Sequence, residues 1–155
     1  MKNDNEFLKF LTELQRKIEY EEEKYYSKVV INEYRNPSNF GFLEKPDALS
    51  EFKGPCGDTM KISLRINNGI IKDARFWTDG CGATIACGSM LTKMIIGLNI
   101  DEASLITDVG LISSLNGLPD EHLHCSELAI KSLKIAINNY DYNISKMTGK
   151  QKNIR

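Results

Sequence analysis

The chain has 155 residues, a formal net charge of −1, and 41% hydrophobic and 26% charged residues. That length and composition fit one ordinary globular domain with a real core. Near-neutral charge excludes a general electrostatic pull toward nucleic acid or anionic membrane, and no apolar run reaches membrane-spanning length.

Met1 to Asn5 is too polar to begin a signal peptide, so a cytoplasmic setting is expected. Met1 to Glu23 reads as a helix, with Phe7, Leu11, Leu14 and Ile18 on one stripe at steps of four, three and four. Such a helix packs on the domain or serves as a docking or dimerisation arm, and packing is the simpler expectation. Tyr25 to Tyr34 reads as a second helix stopped by Asn36-Pro37, because the residue before proline avoids helical geometry. Asn36 to Glu51, with Pro37, Gly41 and Pro46, reads as an irregular crossing segment.

Thr59 to Ile66 alternates Met60, Ile62, Leu64 and Ile66 with polar residues, as a half-buried strand does. Asn67-Asn68-Gly69 predicts a tight hairpin turn, and Ile70 to Thr78 the antiparallel return strand. From Ala83 the period becomes helical: Ala83, Ala86, Cys87, Met90, Leu91, Met94 and Ile95 share a face, with Gly97 as the stop. Asn99 with Glu102 predicts a capped short helix, and Thr107 to Leu115 another. A last helix carries Cys125, Leu128, Ala129, Ser132, Leu133, Ala136, Ile137 and Tyr140 on one face. Asp141 to Arg155 is polar, shows no stripe, and is expected to fray.

Four cysteines are few for a disulfide scaffold, and cytosolic thiols stay reduced. Three of them sit among turn-making residues: Gly54-Pro55-Cys56-Gly57-Asp58, Asp79-Gly80-Cys81-Gly82 and Leu123-His124-Cys125. Cys56 precedes the first hairpin strand and Cys81 follows the second, so pairing brings them side by side. Cys81 at a helix entrance and Cys125 in a first helical turn are positions that favour thiolate. With Asp58 as a hard oxygen donor and His124 as a borderline nitrogen donor, these residues compose a candidate soft-metal site. Cys87, in mid-stripe, is expected to pack as a small apolar residue. His122 is read as a surface residue, and Trp77 as a packing residue.

On these residues the chain resembles the iron–sulfur cluster assembly scaffold family of the IscU and NifU N-terminal type. The matching stretches are Tyr26-Ser27-Lys28-Val29, Asn36-Pro37-Ser38-Asn39-Phe40-Gly41, Gly54-Pro55-Cys56-Gly57-Asp58, Ile71-Lys72-Asp73-Ala74-Arg75-Phe76, Gly80-Cys81-Gly82 and His124-Cys125. The resemblance implies an α+β fold: a small, hairpin-based antiparallel β-sheet covered by several α-helices. It divides the chain into an N-terminal helical extension over 1–24, a scaffold domain over 25–140 and a polar flexible tail over 141–155. It also implies assembly of a [2Fe–2S] cluster from iron and desulfurase-derived sulfur, with transfer to apo-proteins, in a scaffold rather than a turnover enzyme.

By position, Cys56, Asp58, Cys81, His124 and Cys125 match the family's cluster- and metal-binding residues, and Cys125 its persulfide acceptor. Implied partners are a cysteine desulfurase, apo iron–sulfur acceptor proteins and a second copy of the chain. Zn²⁺ is an implied occupant of the same donors. Two departures stand out. Scaffolds served by the dedicated Hsp70 chaperone carry Leu-Pro-Pro-Val-Lys before the His-Cys pair; here Leu118-Pro119-Asp120-Glu121-His122 stands there, so the resemblance does not carry chaperone recognition over. Cys87 also stands where relatives commonly have a small hydroxyl residue. Two other classes remain open beside this one. A zinc-bound thiol protein could relay sulfur or regulate a desulfurase without building clusters. A cysteine hydrolase or transferase could use Cys125, His124 and Asp58, although it would need neither Cys56 nor Cys81.

Overall fold

A computed structural model describes residues 2–152 of the chain; the expected first residue of the opening helix and the last three residues of the expected tail lie outside the described residues. The fold is α+β, as the sequence predicts. Three strands, β1 (Ala48–Lys53), β2 (Thr59–Asn67) and β3 (Ile70–Thr78), form one antiparallel sheet in the order β1-β2-β3. Helices α1 (Lys2–Tyr25), α2 (Lys28–Arg35), α3 (Gly82–Ile95), α4 (Ile100–Ser104), α5 (Asp108–Ser114) and α6 (Leu123–Lys152) surround it, with a 3-10 turn at Asp120–His122.

Met60, Ile62, Leu64 and Ile66 of β2 and Ile71, Ala74 and Phe76 of β3 turn to one face and are buried. Helices α3 and α6 lie over that face with the apolar stripes predicted for them. Packing there is close enough to require a glycine: a Cβ on Gly88 would sit 2.3 Å from the Phe76 ring. The β2–β3 hairpin turns at Asn68 (φ 51°) and Gly69 (φ 74°), the left-handed pair that matches strand twist. The capping box of α4 also forms, with Asn99 Oδ1 accepting from the Glu102 N–H and Glu102 Oε2 from the Asn99 N–H.

Three expectations are corrected. The crossing segment ends in a strand: β1 pairs with β2 from Ala48↔Leu64 to Lys53↔Thr59. Its Pro46 and Gly41 lie before the strand, so composition averaged over the segment hid the ladder. The stripe of α1 does not pack on the domain; Phe7 is 60% exposed and Ile18 47%. The expected tail is helical, because α6 continues through Asp141 to Lys152. Propagating a nucleated helix costs little per residue, and no proline interrupts this stretch.

The Asn36–Gly41 segment is tied to α3 and to the outer edge of β3. The Ser38 N–H donates to Ser89 Oγ, and Asn39 Nδ2 donates to Thr92 Oγ1. The Gly41 N–H donates to the Phe76 carbonyl and the Phe76 N–H to that of Asn39, closing an exposed strand edge. Beneath it the buried Glu33 carboxylate accepts from Ser89 Oγ and Lys93 Nζ, both at 2.5 Å, which compensates its burial.

A candidate metal and sulfur centre

The turn between β1 and β2 is Gly54-Pro55-Cys56-Gly57. The Gly57 N–H donates to the Gly54 carbonyl at 3.0 Å and the Gly54 N–H to the Asp58 carbonyl at 2.8 Å. Proline presets the second turn position, and Gly57 takes φ 93°, a conformation other residues resist. Cys56 is thereby displayed at an exposed turn tip. Register pairs Met60 with Thr78, so the start of β2 lies beside the end of β3. The Thr59 N–H donates to Asp79 Oδ1 at 2.7 Å, fastening the two segments.

Cys81 is the N-cap of α3, and Cys125 lies in the first turn of α6. Between them stands Thr84, fully buried one turn into α3. Its Oγ1 is 3.3 Å from Cys125 Sγ, 3.6 Å from Cys81 Sγ and 3.3 Å from Asp58 Oδ2, to which it donates. A single hydroxyl thus joins three of the five predicted site residues. Gly80 makes room for the junction, since a Cβ there would lie 2.8 Å from both Asp58 Oδ2 and Thr84.

His124 Nε2 is 3.7 Å from Cys125 Sγ. On its other side His124 shares with Cys56, Gly54 and Leu128 the wall of a hollow of about 280 Å³. His122 is not the surface residue expected. Its Nδ1 lies 3.8 Å from Cys81 Sγ and 4.0 Å from Cys125 Sγ, and its Nε2 is 3.0 Å from the Tyr26 hydroxyl. Among the described residues, Cys81, His122 and Cys125 are the group of three whose donor atoms all lie within 4.8 Å of one another. Cys56, Asp58 and His124 fall around that group rather than in it.

Thr84 and His122 escaped the sequence reading for different reasons. Thr84 falls on the helix face that the apolar stripe assigns to packing, and a hydroxyl there reads as filler. His122 shares its spacing with any exposed turn residue; only its position three residues before Cys125 hinted at a common side.

The expectation that Cys125 favours thiolate is overturned. Burial pushes its pKa up to about 12, and the opposing hydrogen bond from Thr84 does not offset this. A free N–H row at a helix start helps a thiolate that water reaches, whereas this sulfur is fully covered. Cys87 is also fully buried, and burial raises its thiol well above the ordinary range, in keeping with packing. Tyr26, likewise raised by burial and by the neighbouring Cys81, has a pKa of about 12 and keeps its proton at neutral pH. All four cysteines are free. No helix among the described residues is long and apolar enough to cross a membrane.

Comparison with known proteins agrees with this architecture. The chain is 42% identical over 120 residues to the iron–sulfur cluster assembly scaffold protein IscU of Escherichia coli strain K12, covering 74% of this chain and 93% of that one. It is 38% identical over 118 residues to the scaffold protein IscU of Aquifex aeolicus, covering 74% and 75%. In fold it is similar to a putative scaffold protein for the SUF system from Fervidobacterium islandicum, with TM-score 0.62, 21% identity, and 72% and 96% coverage. It is also similar to the N-terminal part of a NifU-like protein from Brucella abortus, with TM-score 0.60, 18% identity, and 75% and 94% coverage. The family model described as NifU-like N terminal domain matches residues 25–147, and the chain belongs to that family.

Proposed function

We propose that this protein is a scaffold on which an iron–sulfur cluster, of the [2Fe–2S] type, is built and from which it is passed to apo-proteins. The observation that carries the reading is the Thr84 junction, where one hydroxyl touches Asp58, Cys81 and Cys125 in a chain 42% identical to a scaffold protein over 120 residues. Cys56, Asp58, Cys81, His124 and Cys125 are the residues that hold iron and sulfide in this reading. The cluster is cargo, so the protein is not a turnover enzyme.

Sulfur arrives as the persulfide of a cysteine desulfurase. Cys125 thiolate attacks the terminal sulfur, the S–S bond of the donor breaks, and the desulfurase cysteine leaves as thiolate, so Cys125 becomes the persulfide. Because burial holds Cys125 protonated, the step needs either a partner that opens the site or a metal that takes the proton's place. Reducing each delivered sulfur to sulfide takes two electrons from an external electron donor. A reducing cytoplasm keeps the four thiols free for this chemistry.

Asp58 is a harder donor than thiolate and weakens the hold on a cluster, which suits a protein that must give its product away. The same donors suit Zn²⁺, which competes with iron for them.

The reading treats 1–24 as an extension and the scaffold unit as beginning at 25, where the family match starts; α6 and the family match both run on past residue 140, the latter to 147. A second copy of the chain is the occupant we assign to the bare stripe of α1. Phe7, Leu8, Phe10, Leu11, Leu14 and Ile18 are each 41–60% exposed. Two such stripes supply the order of area, roughly 1,000 Å², that a specific interface needs. Antiparallel pairing would set Phe7 opposite Ile18 of the partner subunit and Leu11 opposite Leu14 of the partner subunit, four apolar layers in all.

Anaerobic reconstitution with a cysteine desulfurase, cysteine, Fe²⁺ and a reductant tests the reading by absorption and Mössbauer spectroscopy. A [2Fe–2S] spectrum with matching iron and acid-labile sulfide is expected. Bound metal with no labile sulfide would instead favour a zinc-bound thiol protein that relays sulfur or regulates the desulfurase.

A further inference from the structure

The two edges of the sheet end differently. The edge of β3 is closed by the Asn36–Gly41 segment through the Phe76 backbone groups. At the other edge, backbone groups of successive β1 residues point alternately toward β2 and away from it, as in any antiparallel ladder. The Gly54 N–H bonds the Asp58 carbonyl, which continues the register of the ladder, so even-numbered residues direct their backbone groups to β2. The Leu49 carbonyl is met by Asn139 Nδ2 of α6 at 2.8 Å, so odd-numbered residues direct theirs away from β2. The N–H groups of Leu49, Glu51 and Lys53 and the carbonyls of Glu51 and Lys53 therefore line an open edge, with no partner among the described residues.

Beside this edge, between the end of β1 and α6, opens the hollow of about 280 Å³ walled by Phe52, Pro55, Leu128, Glu127 and Lys131. A strand laid along β1 would share its pleat. Its residue opposite Phe52 would turn to the α6 side, where the hollow lies, and the next residue, opposite Lys53, would turn to the outer face beside that ammonium. Charge at the edge is uneven. The Glu51 carboxylate is engaged by Lys61 at 3.2 Å, whereas Lys53 and Lys131 enter no ion pair among the described residues. Against these two cations stands one further carboxylate, Glu127, also without an ion pair, so the edge is left net positive. A second copy of the chain fits it poorly. The register that pairs the whole edge from Leu49 to Lys53 centres on Glu51 and sets it opposite Glu51 of the partner subunit, like charge against like.

We propose that the β1 edge takes an extended peptide segment of a partner protein by strand addition, with an apolar side chain opposite Phe52 in the hollow and a carboxylate next to it opposite Lys53. Main-chain bonds to Glu51 and Lys53 supply affinity, and the adjoining apolar and acidic side chains supply specificity. Glu51 is a suitable centre for such a ladder, because its side chain is held on the outer face by Lys61 and leaves the edge clear. The inference stands apart from the scaffold reading, since it needs a free strand edge and a hollow but neither iron nor sulfide.

The test selects a phage-displayed library of random nine-residue segments on the full chain under reducing conditions, then measures the enriched sequence as a synthetic peptide. Enriched segments should carry Asp or Glu immediately beside a large apolar residue. The bound peptide should slow hydrogen exchange of the Glu51 and Lys53 amides tenfold or more. Glu51→Pro removes an edge N–H that the β1–β2 ladder does not use, so it should keep the unfolding transition and weaken peptide binding tenfold or more. Glu51→Ala, which keeps the N–H, should bind within about twofold of the parent, the sign that backbone and not side chain is recognised. Lys53→Glu should weaken binding several-fold and shift the enriched sequences away from acids. No enrichment, or binding that survives Glu51→Pro in a folded chain, would overturn the proposal. So would edge amides that become protected with rising protein concentration and no peptide, which would assign the edge to a second copy.

Discussion

Thr84 Oγ1 lies 3.3 Å from Cys125 Sγ, and both residues are fully buried. The same hydroxyl lies 3.3 Å from Asp58 Oδ2, so the carboxylate and the sulfur share its single proton, and a threonine inside a packing stripe couples the acid to the sulfur. Its bond to the sulfur lowers the Cys125 pKa against the larger effect of burial. Thr84→Val keeps the shape and removes the hydroxyl, leaving a half-buried carboxylate and a buried thiol without it. We expect a stability loss of about 1–3 kcal/mol in denaturant unfolding. Cys125 should also be alkylated more slowly than in the parent at every pH, by mass spectrometry; equal rates would show that the contact does not tune the sulfur.

Cys125 itself should report its burial through pH. Its folded pKa of about 12 is above the ordinary thiol value, so the proton is bound more tightly in the native state. The associated stability is fully present below the ordinary thiol pKa and is lost as pH rises toward 12. In the metal-free protein at neutral pH, iodoacetamide should label the exposed Cys56 and Cys81 first, and Cys125 should catch up only as pH rises. Labelling of Cys125 at pH 7 as fast as Cys56 would contradict this.

Asp58 is free of the structural duty its turn position suggests. The Thr59 N–H is satisfied by Asp79, and the turn closes through backbone groups of Gly54, Gly57 and Asp58. Asp58→Ala should therefore leave the turn intact and cost about 1–3 kcal/mol through the buried Thr84 hydroxyl, which loses its carboxylate acceptor. The assembled cluster should live longer and pass more slowly to an apo-ferredoxin, followed by absorbance with and without acceptor. Faster decay than in the parent would mean that the carboxylate strengthens the hold on the cluster.

Cys87 sits wholly inside the α3 face. Replacing it with Ala should cost on the order of 1 kcal/mol, a small core truncation, and leave cluster assembly intact. Abolished assembly at unchanged fold would make it a ligand.

The stripe of α1 should matter for association and not for folding. Leu11→Glu with Leu14→Glu should leave the melting temperature within a few degrees of the parent. Sedimentation should then show less dimer than the parent at equal concentration. A dimer fraction unaffected by both charges would place the contact elsewhere.

Local rules carried much of this protein. Period-two alternation set β2 and β3, Asn68-Gly69 set their turn, Asn99 with Glu102 set a cap, and the faces of α3 and α6 followed the 3.6-residue period. These signals lie within one element or one turn, where backbone sterics and side-chain spacing act directly. Even the meeting of the β2–β3 ends was legible, because hairpin pairing fixes its own register. The rest depended on long-range partners. β1 exists because β2 offers it a ladder, and α1 stays bare because no surface of its own domain covers it. The pKa of Cys125 is set by what covers the sulfur, not by its place in a helix. His122 reaches Cys81 across 41 positions and Tyr26 across 96, and Thr84 joins β-hairpin, α3 and α6 through one oxygen. Contacts of that span are produced only when the apolar faces close on one another, so residue types and spacing named the donors while the packed fold decided which of them stand together.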